Sequence, residues 1–178
     1  PLNLAPTAST TASLALGDAI AATLSESRNF STEDFAKSHP NGSLGKRLLL
    51  KVSDIMHTGD QVPKIKPDQM LSEGLIEISQ KSLGMVAIID DKNHVIGIFT
   101  DGDLRRSLDA KIDIHKTSMK EVMSPNFKCA SSEMLAMDSM KLLKEFKITH
   151  LLITNESNNL LGALNIHDLL QAGIVRSI

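Results

Sequence analysis

The sequence predicts an α/β fold built from two small, similar α+β modules, and two observations carry this prediction. First, the last two-thirds of the chain contains one pattern twice: Val52-Ser-Asp-Ile-Met56 returns as Met119-Lys-Glu-Val-Met123, and Gly97-Ile-Phe-Thr-Asp-Gly-Asp-Leu104 returns as Gly162-Ala-Leu-Asn-Ile-His-Asp-Leu169. Second, the copies keep their order and nearly their spacing, with an offset of 67 residues at the first motif and 65 at the second. This period is too long for a solenoid repeat. We expect the modules to pair with pseudo-twofold symmetry, and the cleft between them is a natural ligand site.

Composition limits the class of protein. The chain has 178 residues, and its 42% apolar content is enough for real hydrophobic cores. A net charge of -2 and the absence of Trp and Tyr argue against a nucleic-acid surface. The single cysteine, Cys129, excludes an intramolecular disulfide and fits a reducing compartment. No apolar run is long enough to cross a bilayer and no signal peptide is visible, so we expect a cytoplasmic protein without a membrane partner.

Residues 1–51 are rich in Ala, Ser and Thr and predict two helices. Ser31-Thr-Glu-Asp34 resembles a capping box for a short second helix that carries Phe35 and must end before Pro40. The first helix is longer, with Thr10 or Thr11 as its cap, and its apolar positions recur at helical spacing: Leu14, Leu16, Ile20 and Leu24.

The first copy, about 52–110, predicts the element order β-α-β-β-α. After a helical turn and an extended segment around 62–65, apolar periodicity predicts a helix over 71–81. Two β-rich runs, 85–89 and 95–99, are separated by a polar turn and predict a hairpin. A helix that begins near Asp101 closes the copy.

The second copy, about 119–174, repeats this order. We expect Ser132 to cap a helix, strands over 150–154 and 160–164, and a closing helix from Ile166. One face of the first of these helices carries apolar residues that pack in a core: Met134, Met137, Met140 and Leu143. The predicted divisions of the chain are 1–51, 52–114 and 115–178.

Five residues at the ends of the last strands are candidate ligand-binding residues. A helix N-terminus offers free N–H groups to an anion, and here Thr100 and Asp103 begin one closing helix while Asn165 and Asp168 begin the other. An aspartate can accept two hydrogen bonds from a vicinal diol. Gly97 lets the backbone approach a ligand closely. The two polar pairs are also plain helix-capping patterns, which need no ligand.

A β-α-β-β-α unit that ends in Gly, an apolar residue, Ser or Thr and then Asp resembles a CBS domain, and two in tandem resemble a CBS pair over roughly 52–174. The resemblance implies that a nucleotide or similar ligand binds in the clefts between the halves. It implies that the hydroxyl of Thr100 approaches a phosphate and that Asp103 binds ribose hydroxyls. The matching residues of the second copy are Asn165 and Asp168, and Asn165 departs from the family's hydroxyl residue.

The first sixty residues carry a second resemblance. Leu4-Ala-Pro-Thr-Ala-Ser-Thr-Thr-Ala-Ser13, followed by Leu16-Gly-Asp-Ala19, resembles the closing segment of a sugar isomerase (SIS) domain. Phe35-Ala-Lys-Ser-His-Pro-Asn-Gly-Ser-Leu-Gly45 and Ser53-Asp-Ile-Met-His-Thr-Gly-Asp60 resemble stretches of arabinose-5-phosphate isomerases. The resemblance implies a C-terminal fragment of such an enzyme, with the tail of its SIS domain before the CBS pair.

This family interconverts ribulose 5-phosphate and arabinose 5-phosphate on the way to Kdo, the acidic sugar of lipopolysaccharide or capsule. Its catalytic groups, a lysine, two glutamates and a histidine, belong to the SIS domain, and only the histidine has a counterpart here, His39. We therefore expect the chain alone to be inactive and to need no cofactor. The resemblance leaves two roles open for the hydroxyl residues at the start of the first helix, contact with a sugar phosphate or helix capping: Thr7, Ser9, Thr10 and Thr11. The other histidines lack metal-ligand spacing, so no metal is expected: His57, His94, His115, His150 and His167.

Two functions from different classes follow from the resemblance. In the first, the CBS pair is an allosteric sensor of a nucleotide or nucleotide sugar, with CMP-Kdo preferred as the activated end product of the pathway and an adenylate as the rival ligand. In the second, the module is structural and joins isomerase subunits. Both imply a homodimer through the CBS pair and a higher homo-oligomer in the parent enzyme.

Overall fold

The computed structural model describes residues 6–31, 34, 35, 38 and 48–174, and it begins with one long helix, α1 (Ala8–Ser27). The predicted cap at Thr10 or Thr11 is wrong, because the helix already begins after Thr7 and the hydroxyls of Thr10 and Thr11 donate back to the Thr7 carbonyl. No side chain of α1 is buried. Ser31 and Asp34 make the reciprocal bonds of the predicted capping box, with the Asp34 N–H 3.1 Å from the Ser31 hydroxyl.

The first copy contains the predicted β-α-β-β-α order. A 3₁₀ turn at Val52–Asp54 precedes it, and a second lies at Gly59–Gln61. Its strands are buried because β-branched and apolar residues fill both faces. The elements are β1 (His57–Thr58), β2 (Lys64–Ile65), α2 (Leu71–Lys81), β3 (Met85–Ile89), β4 (Val95–Thr100) and α3 (Asp101–Asp109).

The second copy repeats this series after a short helix, with a β-bulge at the matching position of each hairpin. Both hairpins turn through an asparagine with positive φ, Asn93 and Asn158, a conformation that asparagine tolerates well. The elements are α4 (Met119–Val122), β5 (Cys129–Ala130), α5 (Ala136–Phe146), β6 (His150–Thr154), β7 (Leu160–Asn165) and α6 (Ile166–Gln171).

The start of α5 differs from the prediction. Ser132 and Met134 lie before the helix, which begins only at Ala136. The reason is a contact with distant chain: the Val52 N–H donates to the Met134 carbonyl at 2.8 Å, and the Ala136 N–H donates to the Leu50 carbonyl at 2.8 Å. These bonds hold the backbone before Ala136 in a non-helical conformation.

The two copies exchange the segments that lead into them. We call residues 50–58 and 117–124 the lead-in segments. The first pairs with the second copy, since β1 runs antiparallel to β7 with His57 opposite Ala163. The second pairs with the first copy, since Ser124 forms a bridge with Ile98 of β4. The resulting sheets have the strand orders β1-β7-β6-β5 and β2-β3-β4.

The cores follow this exchange. Val52 of the first lead-in segment is fully buried among second-copy residues, and Met119 of the second is fully buried among first-copy residues. A third apolar core lies between the copies and contains residues of both hairpins, among them Ala87 and Leu152. Neither copy completes its core alone, so the pair folds as one unit. Among the residues described above, no helix has the length and apolar character that a bilayer crossing requires.

Candidate functional site

The candidate site is a cleft between the first closing helix and the second copy, which we call the first cleft. Its volume is about 490 Å³, within the range of small-molecule sites. One wall is the N-terminus of α3, with Thr100, Asp101, Gly102 and Arg106. The opposite wall consists of the loop 126–128 and the segment 146–150. The exchange of lead-in segments brings these walls together, because it places the loop after α4 beside β4.

Thr100 and Asp103 lie together at the start of α3, as the sequence predicts. The Asp103 carboxylate accepts from the Thr100 N–H at 2.8 Å and from its hydroxyl at 2.7 Å, both through Oδ2. Its other oxygen, Oδ1, accepts from the guanidinium of Arg106 at 2.6 Å. Asp103 is only 8% exposed, whereas the side chain of Arg106 is 73% exposed. The capping box is therefore formed, and Oδ1 is held by a surface side chain that can leave.

Gly97 does not line the first cleft. A Cβ atom at this position would lie 2.6 Å from the sulfur of Met123. Gly97 thus makes room for the second lead-in segment, which pairs with the neighbouring residue of β4. The close approach that the glycine permits is with the side chain of Met123 in the second lead-in segment.

The matching residues of the second copy are engaged differently. Asn165 caps α6, because its side-chain oxygen accepts from the N–H groups of His167 and Asp168 at 2.8 and 3.1 Å. Asp168 accepts from the Asn165 N–H at 2.7 Å. The other oxygen of Asp168 lies 3.0 Å from Nε2 of His57, which comes from the first lead-in segment. Both carboxylate oxygens of Asp168 are thus paired within the protein.

A further contact involves the residue that matches Phe146. By the 65-residue offset that relates β2 to β5, this residue is Lys81. The ammonium of Lys81 donates to the backbone carbonyl of Asp60. We call the region at the start of α6 that corresponds by the repeat to the first cleft the second cleft. In the second cleft His57, from the first lead-in segment, holds the Asp168 oxygen that corresponds to the one held by Arg106 in the first cleft.

The first cleft is cationic. Its lining has three cations, Arg106 on one wall and Lys128 and Lys147 on the other, against one carboxylate, Asp101. The ammonium of Lys128 sits 4.0 Å from the centre of the Phe146 ring, a cation–π contact. Together with the N–H groups at the start of α3, these charges favour a ligand with negative groups. The sequence reasoning did not identify this wall, although a repeat alignment would have shown Phe146 replacing Lys81.

His150 lies where the two clefts approach each other. Its Nδ1 is 2.9 Å from the Thr149 hydroxyl. Burial lowers the pKa of His150 below its ordinary value, and the nearby carboxylate of Asp101 opposes this shift. Gly84 has a φ of +69°, and a Cβ there would lie 3.0 Å from Nε2 of His150. The glycine is therefore needed for two reasons: it adopts the positive φ of the turn, and it leaves room for the imidazole of His150.

The remaining predicted residues lie elsewhere. His39 falls outside the residues that the structure describes. Thr10 and Thr11, considered for a sugar phosphate, are exposed and donate within the first turn of α1. Within the described ranges, no three His, Cys, Asp or Glu side chains are grouped so that they could hold a metal ion.

Comparison with known proteins adds to this geometry. The family model for the CBS domain matches residues 52–110 and 119–174. An arabinose 5-phosphate isomerase (KdsD) of Pseudomonas aeruginosa is 47% identical over 175 residues, which is 98% of this chain and 54% of the relative. The chain thus spans about half the length of the curated relatives it matches.

Solved structures show the same fold. CBSX2, crystallised in complex with AMP, is 21% identical with a TM-score of 0.60, and the match covers 70% of this chain and 96% of that one. The CBS domain pair of protein MJ0100, in complex with 5'-methylthioadenosine and S-adenosyl-L-methionine, is 15% identical with a TM-score of 0.63, covering 69% and 94%. At these identities the likeness concerns the fold.

Proposed function

This chain belongs to the CBS domain family, and we propose that it is the regulatory part of an arabinose-5-phosphate isomerase that binds a nucleotide or nucleotide sugar in the first cleft. The observation that carries the proposal is the cleft itself: an open, cationic space that ends at a helix N-terminus beside the buried carboxylate of Asp103. The isomerase assignment is supported by the 47% identity to a relative of that name.

The residues of the first cleft match the parts of a nucleotide. Oδ1 of Asp103 accepts a ribose hydroxyl once Arg106 moves away, because Oδ2 remains in the capping box. The released guanidinium then pairs with a phosphate, which Arg binds well. The N-terminus of α3, where Gly102 lines the cleft, receives the same anion, while the Thr100 hydroxyl keeps its bond to Asp103. Gly97 leaves room for the second lead-in segment, which leads into one wall of the cleft.

The preferred effector is CMP-Kdo, because its phosphate and sugar carboxylate would engage several cations of the first cleft. The rival is an adenylate, and this candidate is favoured by the AMP and adenosine-type ligands of the two CBS structures described above. Regulation requires that the ligand prefer one conformational state of the isomerase. In the parent enzyme His39 would serve the isomerisation, whose other groups lie in the part of the relatives that this chain does not match.

A structural role is the second candidate. Two apolar side chains on the outer helices are more than half exposed, Ile76 of α2 and Leu108 of α3. In this role these side chains would meet a second CBS pair to form a homodimer, and further contacts of the parent enzyme would give a larger assembly.

Calorimetric titration of this chain with CMP-Kdo, CMP, AMP and ATP tests the proposal. We expect CMP-Kdo to bind most tightly, with one molecule per chain. Binding of AMP and ATP alone would replace the pathway sensor by an adenylate sensor. Absence of heat with all four ligands, together with a stable dimer in light scattering, would refute nucleotide binding and leave assembly as the function.

A further inference from the structure

We propose that the Phe146 ring is the platform on which the nucleobase stacks, and that Lys128, which covers this ring, is displaced by the base and moves to the ligand's phosphate. This inference rests on the proposed nucleotide site and assigns its base-binding residue. The observation behind it is an exposed aromatic ring. Phe146 is the last residue of α5, lines the first cleft and is 40% exposed.

Aromatic side chains such as Phe146 are rare in this chain. The sequence contains five Phe and neither Trp nor Tyr, and two of the five, Phe127 and Phe146, line the first cleft. Phe146 is an apolar surface at a cleft mouth whose polar surroundings include Lys128 and Lys147. A nucleotide fits both the apolar ring and the cations. The face of its base stacks on the ring, while the edges of the base and the phosphate face the lysines.

Displacement of Lys128 is energetically reasonable. Its ammonium lies 4.0 Å from the centre of the Phe146 ring. At an exposed site this cation–π contact is weaker than the stacking of a base on an aromatic side chain. The ammonium also gains a better partner, because a phosphate in the same cleft forms a charge-assisted hydrogen bond with it. The exchange replaces one weak contact with two stronger ones.

The geometry places base and sugar at opposite walls. Phe146 and Lys128 belong to the second copy, whereas Asp103 and the N-terminus of α3 belong to the first. A nucleotide that stacks on Phe146 and reaches Asp103 with its ribose spans the cleft and holds both copies. Such a ligand couples the relative position of the two copies to its own binding.

The second cleft lacks this platform. Lys81 occupies the position that matches Phe146, and it donates to the Asp60 carbonyl. The inference therefore predicts one base-binding site per chain, although the backbone is duplicated. Lys81 supplies the matched control for Phe146.

The test compares CMP and AMP with ribose 5-phosphate, which has no base, by calorimetry on the wild type, Phe146→Ala, Phe146→Trp and Lys81→Ala. We expect Phe146→Ala to weaken the better-binding nucleotide by roughly tenfold or more and to leave ribose 5-phosphate unchanged. Phe146→Trp should keep or raise nucleotide affinity, and Lys81→Ala should change neither ligand.

Three outcomes would overturn the inference. Equal affinity of wild type and Phe146→Ala for the nucleotide would exclude stacking on this ring while leaving the nucleotide site in place. An equal loss for nucleotide and ribose 5-phosphate would make Phe146 a structural residue, a result that thermal unfolding of the variant checks. Failure of the wild type to bind any nucleotide would refute the proposed function and the inference with it.

Discussion

The two copies have nearly the same backbone and different clefts. In the first cleft, Asp103 is paired with residues three positions away in the chain, Thr100 and Arg106. In the second cleft, Asp168 is paired with His57, which lies 111 residues away in the chain. The comparison teaches that a duplicated fold need not mean a duplicated site, since a histidine from the first lead-in segment holds the carboxylate of the second cleft.

The exchange of lead-in segments, by contrast, is kept in both copies. Each segment buries an apolar residue in the other copy's core, Val52 in one case and Met119 in the other. Each hairpin tip also donates across the axis, as the Asn93 amide bonds to the Leu160 carbonyl and the Asn158 amide to the Val95 carbonyl. Symmetry is thus kept where the copies pack and lost where a ligand would bind.

The strongest test of this contrast removes the matching carboxylate from each cleft. Asp103→Asn should weaken nucleotide binding by roughly 10- to 100-fold, because a charged acceptor for the ribose hydroxyls is lost. Asp168→Asn should leave affinity nearly unchanged, because its carboxylate already serves His57. Calorimetry with the tightest of the four ligands measures both. Equal losses would show that the two clefts are used alike, and urea unfolding controls for damage to the helix caps.

A second test compares the two glycines that leave room for the lead-in segments, Gly162 and Gly97. A Cβ at Gly162 would lie 2.7 Å from the backbone carbonyl oxygen of His57, whereas a Cβ at Gly97 meets the Met123 side chain first. Gly162→Ala should therefore cost about 1–3 kcal/mol of unfolding free energy, because backbone must move.

Gly97→Ala should cost less, because the methionine can change rotamer and alanine restricts the unfolded chain by about 0.4–1 kcal/mol. Denaturant unfolding measures both free energies. A larger loss for Gly97→Ala would mean that the second lead-in segment is the more rigid of the two.

The smallest expected effect concerns His150, whose position in the first copy is taken by Met85. Burial lowers the pKa of His150 below 6.5, so the folded protein binds this proton less readily than the unfolded chain. The stability that neutral His150 contributes is complete above pH 6.5 and is lost as the pH falls through that value toward the lower folded pKa.

His150→Gln should flatten the decline of the unfolding free energy below pH 6.5, and His115→Gln, at an exposed position, should not. Unfolding measured at a series of pH values decides the matter. Parallel curves for the wild type and His150→Gln would show that burial of this imidazole does not affect stability in the acidic range.

Much of the local structure could be predicted because it depends on local pattern. The helix over Leu71–Lys81 and the strands Met85–Ile89 and His150–Thr154 have the predicted bounds. The start of α5 could not be predicted, because its preceding residues are held by Leu50 and Val52 from the other end of the repeat. The sequence predicts a ligand contact at Gly97 for the same reason. The atoms that this glycine approaches belong to Met123, which is distant in the chain.

The sequence by itself determined the duplication, the CBS-pair fold and the polar caps at the starts of α3 and α6, since each depends on residues that are close along the chain or repeated at a constant interval. Only the tertiary structure decided which side chains face each aspartate at the start of a closing helix. That decision depends on side chains delivered from the opposite copy, Phe146 and Lys128 to one cleft and His57 to the other. The physical reason is the exchange of lead-in segments, which brings each helix N-terminus against residues that no local pattern connects to it.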